Sequence, residues 1–411
     1  MKISRRYFLK TTGIAAVGIG ISPALLTRSV MALDGSTDRK KIFVLIIQRG
    51  AMDGLSLVVP TSDSYYLENR PNIGLKTSGD QSLLKLDGNF GLHPSMQSLK
   101  PLFDNKNLAF IHQVGSPGNS RSHFDAQDFL ENGTVGDKNI ADGFLNRALL
   151  AENQDRLPLK AIAMQPSMPR VLQGAYPAIS MNSIRDFNLK AGSSNQNQVN
   201  GFESMYQGAT DQVFRGVGKE VFESLHSVNA IQTQSGRDQN YPKSGISNRL
   251  REIADLIKAD LGMQIAVTDM GGWDTHVNQG NSKGQLSDRF KELSEALAAF
   301  AKDLGPKFSD VVVATVTEFG RTVKENGTRG TDHGHGSVMM VMGGSVHGGK
   351  VLGQWKELSA ANLFEGRDLP VTTDTRDVFS EILYRHLKIT QLTAVFPQHD
   401  LRESAWINVL G

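Results

Sequence analysis

Carboxylates, imidazoles and hydroxyls recur in five short segments of the chain. Asp53 stands within residues 48–54; Ser120, Ser122 and His123 stand together; Asp274 and His276 flank Thr275; Glu318 and Arg321 bracket Phe319-Gly320; and Asp332, His333 and His335 fall side by side. Carboxylate oxygens and imidazole nitrogens are the donors that zinc, manganese and similar divalent ions take. The chain has 10 histidines, and four of them belong to these segments. One intervening residue puts Asp274 and His276 on the same side of an extended turn. Asp332-His333-Gly334-His335 is dense enough for two or three ligands, and its glycines allow close backbone approach. Each segment alone is also what a hydrogen-bonded loop looks like. As a set they point to a metal site, with Asp274, His276, Glu318, Asp332, His333 and His335 as candidate ligands of a divalent metal (zinc, manganese or calcium).

The elements that must position these groups are readable as apolar runs. Residues 41–47, 107–114, 263–270, 310–317 and 338–342 are short, β-branched or aliphatic stretches suited to buried strands. Between them lie amphipathic helices. One begins near Ser122; one carries Leu250, Ile253, Ala254, Ile257 and Leu261 on one face; one spans roughly 285–304 with Leu286, Phe290, Leu293, Leu297, Phe300 and Leu304. This alternation predicts an α/β fold, a mostly parallel central sheet flanked by helices on both faces. Ligands of such sheets bind beyond the carboxyl ends of the strands. The four chemical segments after strands follow that rule, and the fifth precedes the 338–342 run. Trp273 is expected to pack, His112 to be a core histidine, and Asp374 to cap a helix. Residues 193–245, rich in Gln, Asn and Ser, are expected to form a polar insertion in a single domain over 40–411.

Charge and composition exclude several classes. The 411 residues include no cysteine, so no disulfide framework exists. Residues 1–32 hold Lys2, Arg5, Arg6, Lys10 and Arg28 and no acid, followed by a weakly apolar run and Val30-Met31-Ala32 as a small-residue cleavage site. Ser4-Arg5-Arg6-Tyr7-Phe8-Leu9-Lys10 resembles the twin-arginine export consensus. That implies the twin-arginine translocase as a partner during export, a periplasmic or secreted location, and no stable membrane insertion after cleavage. The apolar run is shorter than the ~20 residues of a membrane span. Without this segment the chain holds 39 Lys and Arg against 42 Asp and Glu, with no basic run, so no nucleic-acid partner is expected.

The five segments, together with Gln48-Arg49-Gly50-Ala51-Met52-Asp53-Gly54-Leu55, Arg121-Ser122-His123-Phe124-Asp125, Gly271-Gly272-Trp273-Asp274-Thr275-His276, Thr317-Glu318-Phe319-Gly320-Arg321 and Gly330-Thr331-Asp332-His333-Gly334-His335-Gly336 in that order, resemble a bacterial exported family catalogued as domain of unknown function 1501. That family is similar in fold to the alkaline phosphatase and sulfatase superfamily. The resemblance implies a two-metal layout. Asp53 would match the first metal-holding Asp, Ser122 or Ser120 the nucleophile, Asp274 with His276 the pair of the other metal, and His333 or His335 the final histidine. Where the superfamily has Asp-His, this chain has Glu318-Phe319, which removes one nitrogen ligand unless Asp332-His333 supplies it.

The chemistry so implied is hydrolysis of a small anionic ester, a sulfate or a phosphate. Negative charge on the transferred group needs metal and guanidinium stabilisation, with Arg321, Arg121 or Arg49 as the clamp and a helix N-terminus below Ser122. Ser122 would be the activated nucleophile. It is equally a good helix N-cap. A non-enzymatic periplasmic binding or assembly role on the same scaffold is the alternative, motivated by Glu318-Phe319. A metal-free esterase built on Ser122 and His123 lacks the Gly-x-Ser-x-Gly elbow.

Overall fold

The computed structural model of the chain describes residues 41–79, 82–152, 159–184 and 240–411. The expected export signal at 1–32 and most of the expected insertion at 193–245 lie outside them. Strands β1 (Ile42–Gln48), β2 (Leu108–Gly115), β3 (Ala161–Met164), β4 (Ile179–Met181), β5 (Ile265–Met270), β6 (Val311–Val316), β7 (Ser337–Gly343), β8 (Lys350–Leu352) and β9 (Thr373–Asp374) build one sheet. Its order is β8-β2-β7-β6-β1-β5-β3-β4, with β9 also on β2. All pairings are parallel except those of β7, which runs against both β6 and β2.

The five expected strands are therefore present, and the helices between them match the periodicity: α1 (His123–Asn132), α2 (Phe144–Glu152), α3 (Gly245–Ala259), α4 (Gln285–Leu304) and α5 (Thr375–Glu381). Leu261 falls beyond the end of α3. Side chains alternate across β1 because strand geometry requires it. Val44 and Ile46 join a core with Leu250 and Ile253 of α3 and Phe290 and Leu297 of α4. Phe43, Leu45 and Ile47 join the opposite core with Phe144 of α2 and Phe379 of α5. Both faces of the sheet are covered, which explains why its central strands are uninterrupted apolar runs. Burying each large side chain contributes about 1.5–3 kcal/mol relative to exposure. Trp273 is fully buried and donates its indole N–H to Met270 O at 2.7 Å, as a packing residue. Asp374 caps α5. Among the described residues no helix is long and apolar enough to cross a membrane.

The reversed direction of β7 matters for function. The loop before an antiparallel strand lies at the same end as the loops after its parallel neighbours. Residues 330–336 are thereby brought beside the segments that follow β1, β2, β5 and β6. Their glycines serve loop packing. A Cβ on Gly330 would lie 2.2 Å from His276 O, and one on Gly320 would lie 1.8 Å from Gly336 O. The backbones of 320–322 and 332–335 pair through Gly320 N–His335 O at 2.7 Å, Gly334 N–Gly320 O at 2.8 Å and Thr322 N–Asp332 O at 2.9 Å.

Candidate metal centre

His123 opens α1 after the β2 loop, Asp274 and His276 follow β5, and His333 precedes β7. These four side chains converge. Asp274 Oδ1 lies 2.9 Å from His276 Nε2 and 3.3 Å from His333 Nε2, and the two Nε2 atoms are 3.0 Å apart. His123 Nε2 is buried, makes no hydrogen bond and lies 3.5 Å from Asp274 Oδ2. Donor atoms of His123, Asp274 and His333 all fall within 4.8 Å of one another.

The outer nitrogens explain this arrangement. His123 Nδ1 meets Glu318 Oε1 at 2.7 Å, His276 Nδ1 meets Asp332 Oδ1 at 3.1 Å, and His333 Nδ1 meets the Arg121 carbonyl at 2.9 Å. Carboxylates and carbonyls only accept, so each Nδ1 carries the proton. In the neutral ring Nε2 then presents a lone pair. The Nε2 atoms of His276 and His333 thus face each other and Asp274 Oδ1, and that of His123 faces Asp274 Oδ2. Two unprotonated Nε2 atoms 3.0 Å apart repel unless a proton or a metal ion sits between them. Anchoring Nδ1 on a carboxylate or carbonyl is the usual way a protein orients imidazoles toward a metal.

Glu318 and Asp332, expected as ligands, instead supply this support. Glu318 is buried, and its Oε1 accepts from His123, from Gln127 Nε2 at 2.9 Å and from Gly50 N at 2.9 Å. Burial would raise its pKa, but the bond from His123 and the other donors outweigh it and hold it below the usual value. The same Glu318 bond raises the His123 pKa. Burial lowers that of His333. Asp274 resists protonation: burial opposes ionisation, and the Arg321 bond and charge prevail.

Asp53 is apart from the cluster. Its two oxygens take Arg70 Nη1 at 2.7 Å and Nη2 at 3.0 Å, and also accept from Ser56 Oγ at 2.8 Å and Gln279 Nε2 at 2.7 Å. Arg70 and Asp53 are 0% and 1% exposed. The place expected for a first metal ligand therefore holds an ion pair, and two full metal sites do not fit. Replacing Asp53 with Leu leaves a buried guanidinium uncompensated and is expected to cost about 3–5 kcal/mol, read as a lowered urea midpoint. A midpoint within error of wild type would contradict the pairing.

His335 also stands away from the cluster. It is buried against Phe364, ring centroids 4.1 Å apart, and burial lowers its pKa. Arg321 is not a free clamp: Nη1 holds Asp274 Oδ1 at 2.7 Å, Nε bonds Thr331 Oγ1 at 3.1 Å and Nη2 bonds the Thr331 carbonyl. Its charge is committed to Asp274. Arg121 is held by Asp368 and Glu365, and Arg49 by Asp269 and Glu131. Ser122 is the N-cap of α1, accepting from Asp125 N at 3.5 Å, and Ser120 Oγ accepts from Ser122 N at 3.3 Å. His123, not Ser122, turns into the cluster. Its Nδ1 serves Glu318 and its Nε2 faces Asp274, so Ser122 and His123 do not form a Ser–His pair. Ser122→Ala is expected to lower stability by about 0.5–1 kcal/mol, the small end of capping effects given the long bond, and to leave metal affinity unchanged. A lost metal site in a folded Ser122→Ala protein would contradict this assignment.

Gln279 and Arg70, which hold the surrounding loops, carry no motif signal in the sequence. Gln279 lies just past His276, a spacing that placed it near the site without indicating its role.

The chain is similar to the C-terminal periplasmic domain of EptC from Escherichia coli in complex with Zn, at 9% identity and TM-score 0.36 over 75% of each chain. It is similar to the PsFucS1 sulfatase from Pseudoalteromonas sp., at 11% identity and TM-score 0.39 over 91% of this chain and 72% of that one. It is also similar to the phosphonate monoester hydrolase of Agrobacterium radiobacter, at 10% identity and TM-score 0.33 over 89% and 79%. No curated protein matches the chain. A family model matches residues 40–398, and the chain belongs to that family, described as "Protein of unknown function (DUF1501)".

Proposed function

We propose that the chain is an exported, metal-dependent hydrolase of sulfate or phosphate esters, with one divalent transition metal held by His123, His276, His333 and Asp274. The observation that carries this reading is the convergence of three Nδ1-anchored imidazoles and one carboxylate. Nitrogen-rich donor sets suit zinc and its neighbours. Calcium takes six to eight oxygen ligands and is not served by this set.

When bound, such a metal supplies Lewis-acid polarisation of an ester oxygen and activation of water. The residues do the rest. Neutral imidazoles and a single carboxylate leave a divalent ion with net positive charge, which attracts an anionic ester. The cluster's side chains are between 24% and 43% exposed, so a small ester can reach them. The ten-residue helix α1 begins at His123, so its N-terminal turn lies beside the cluster, where a helix N-terminus favours an anion. Glu318 holds the His123 ring and can take up positive charge that develops there. Export through the twin-arginine translocase to the periplasm completes the reading, on the strength of Arg5-Arg6 and the acid-free segment around it.

A second reading, a non-enzymatic periplasmic binding or assembly protein that holds the metal, is favoured by one fact. Arg49, Arg121 and Arg321 are committed to internal carboxylates and Ser122 to its helix. Turnover separates the two. Metal-loaded protein is expected to hydrolyse 4-nitrophenyl sulfate, 4-nitrophenyl phosphate or a phosphonate monoester, to lose this on chelation and to regain it with zinc. A stoichiometric metal with no turnover of any of the three esters would establish the second reading instead.

A further inference from the structure

Behind the cluster runs a buried chain of hydrogen bonds whose direction is fixed at every step. Asp53 only accepts, so the Gln279 amide must present its nitrogen to it, at 2.7 Å. Gln279 Oε1 then faces the other way, 2.8 Å from Thr275 Oγ1 and 2.8 Å from Thr331 Oγ1. Both hydroxyls must donate to it. Thr331 Oγ1 is left with its lone pairs, one of which takes the Arg321 Nε–H at 3.1 Å. Arg321 Nη1 ends the chain on Asp274 Oδ1 at 2.7 Å. At the far end Arg70 locks Asp53, with Nε on Val323 O at 2.9 Å and Nη2 on Thr322 O at 3.0 Å. Reversing one amide or hydroxyl would set donor against donor or acceptor against acceptor.

Two loops meet on this chain. Thr275 lies between Asp274 and His276; Thr331 lies two residues before His333. One buried side chain, Gln279, therefore ties together the loops that carry three of the four converging donors. Arg321 fixes one oxygen of Asp274 and leaves the other toward His123.

We propose that Gln279, with Asp53 behind it and Thr331 and Arg321 before it, is a positioning residue that sets the placement of Asp274, His276 and His333 and thereby the affinity and geometry of the metal site. The inference rests on the metal reading given above. None of Gln279, Asp53 and Thr331 touches the metal; each acts through Arg321 or through the loop backbone. Outer-shell partners of metal ligands typically change affinity by about 10–100-fold.

Gln279→Leu strands Asp53 and two threonines and is liable to misfold, so Thr331→Val is the primary variant. It keeps the branched shape and removes only the hydroxyl that joins Gln279 to Arg321. Thr331→Ser restores that hydroxyl. Cobalt(II) titration of the full chain, with dissociation constants from chelator competition and the d–d absorption band as a readout of ligand geometry, tests the proposal. Thermal melts of the metal-free proteins confirm folding. Thr331→Val is expected to weaken cobalt binding by about 10-fold or more with an altered band, and Thr331→Ser to return both to the wild-type values. Wild-type affinity and spectrum in Thr331→Val would overturn the positioning role while leaving the metal reading intact. A wild-type protein that binds no cobalt would overturn the metal reading and this inference with it.

Discussion

Replacing His333 with Ala is expected to weaken zinc or cobalt binding by at least about 100-fold, since losing a ligand exceeds the ~10–100-fold loss of an outer-shell partner. The expectation follows from the direction of one proton. The Arg121 carbonyl accepts at 2.9 Å and can only accept, so His333 Nδ1 is the donor and Nε2 faces His276 and Asp274. His123→Ala and His276→Ala are expected to behave alike, because Glu318 and Asp332 fix their rings in the same sense. His335→Ala is the control: two residues away in sequence, it stacks on Phe364 outside the cluster and should leave affinity unchanged. The raised His123 pKa means a metal must displace a proton there, so affinity is expected to rise with pH. Chelator-competition titration reads all four variants. Equal losses for His333→Ala and His335→Ala would point to general loop damage; no loss for His333→Ala would remove it as a ligand.

Acid is expected to unfold the chain well before its carboxylates titrate. His93, His112 and His386 are buried, and burial pushes each down to about 4. Their bonds say the same thing independently. His112 donates Nε2–H to Val58 O at 3.0 Å and accepts Gln113 N at Nδ1 at 2.9 Å; His93 donates to Asn281 O at 2.8 Å and accepts Ser95 N at 3.1 Å. A second proton would break the accepted bond inside the core. With a folded value near 4 and an unfolded one near 6.5, both states are neutral above pH 6.5 and this contribution to stability is complete. Between 6.5 and 4 the unfolded chain takes up protons that the folded chain refuses. Stability then falls by up to about 3 kcal/mol per histidine, or roughly 10 kcal/mol for the three. Whole domains are stable by only about 5–15 kcal/mol. The raised His123 pKa works in the opposite direction but is a single group. Urea midpoints are therefore expected to drop steeply from pH 7 to pH 5, with about two to three protons bound on unfolding. Midpoints that stay level over this range would contradict the assignment of these rings as buried and neutral.

The strands and helices were legible because each strand is a run that must be apolar on both sides and each long helix must face one core. The 285–304 helix and the 310–317 strand are placed to within a residue or two by that demand alone. What sequence pattern does not carry is direction: nothing in residues 338–342 says that β7 opposes its neighbours. The strand Ala161–Met164 and the edge strand Ile179–Met181 are too short to give a period.

The site was legible as a gathering of residue types and not as a division of labour. Asp53, Glu318 and Asp332 have the same chemistry as Asp274, so spacing cannot tell a ligand from a support. Their roles are decided by partners far along the chain: Arg70 for Asp53, His123 for Glu318, His276 for Asp332. Ser122 poses the same problem in another form. Its position at a helix start fits a nucleophile and a cap equally well, and helix geometry turns the next residue, His123, inward.

The measurement that bears most directly on the metal centre is anomalous diffraction from a crystal of the full chain grown with zinc, recorded on both sides of the zinc absorption edge. A peak within ~2.0–2.2 Å of the Nε2 atoms of His123, His276 and His333 and of an Asp274 oxygen is the expected result. A map with no peak among these four side chains, or with the zinc bound instead at Asp53 or His335, would contradict it.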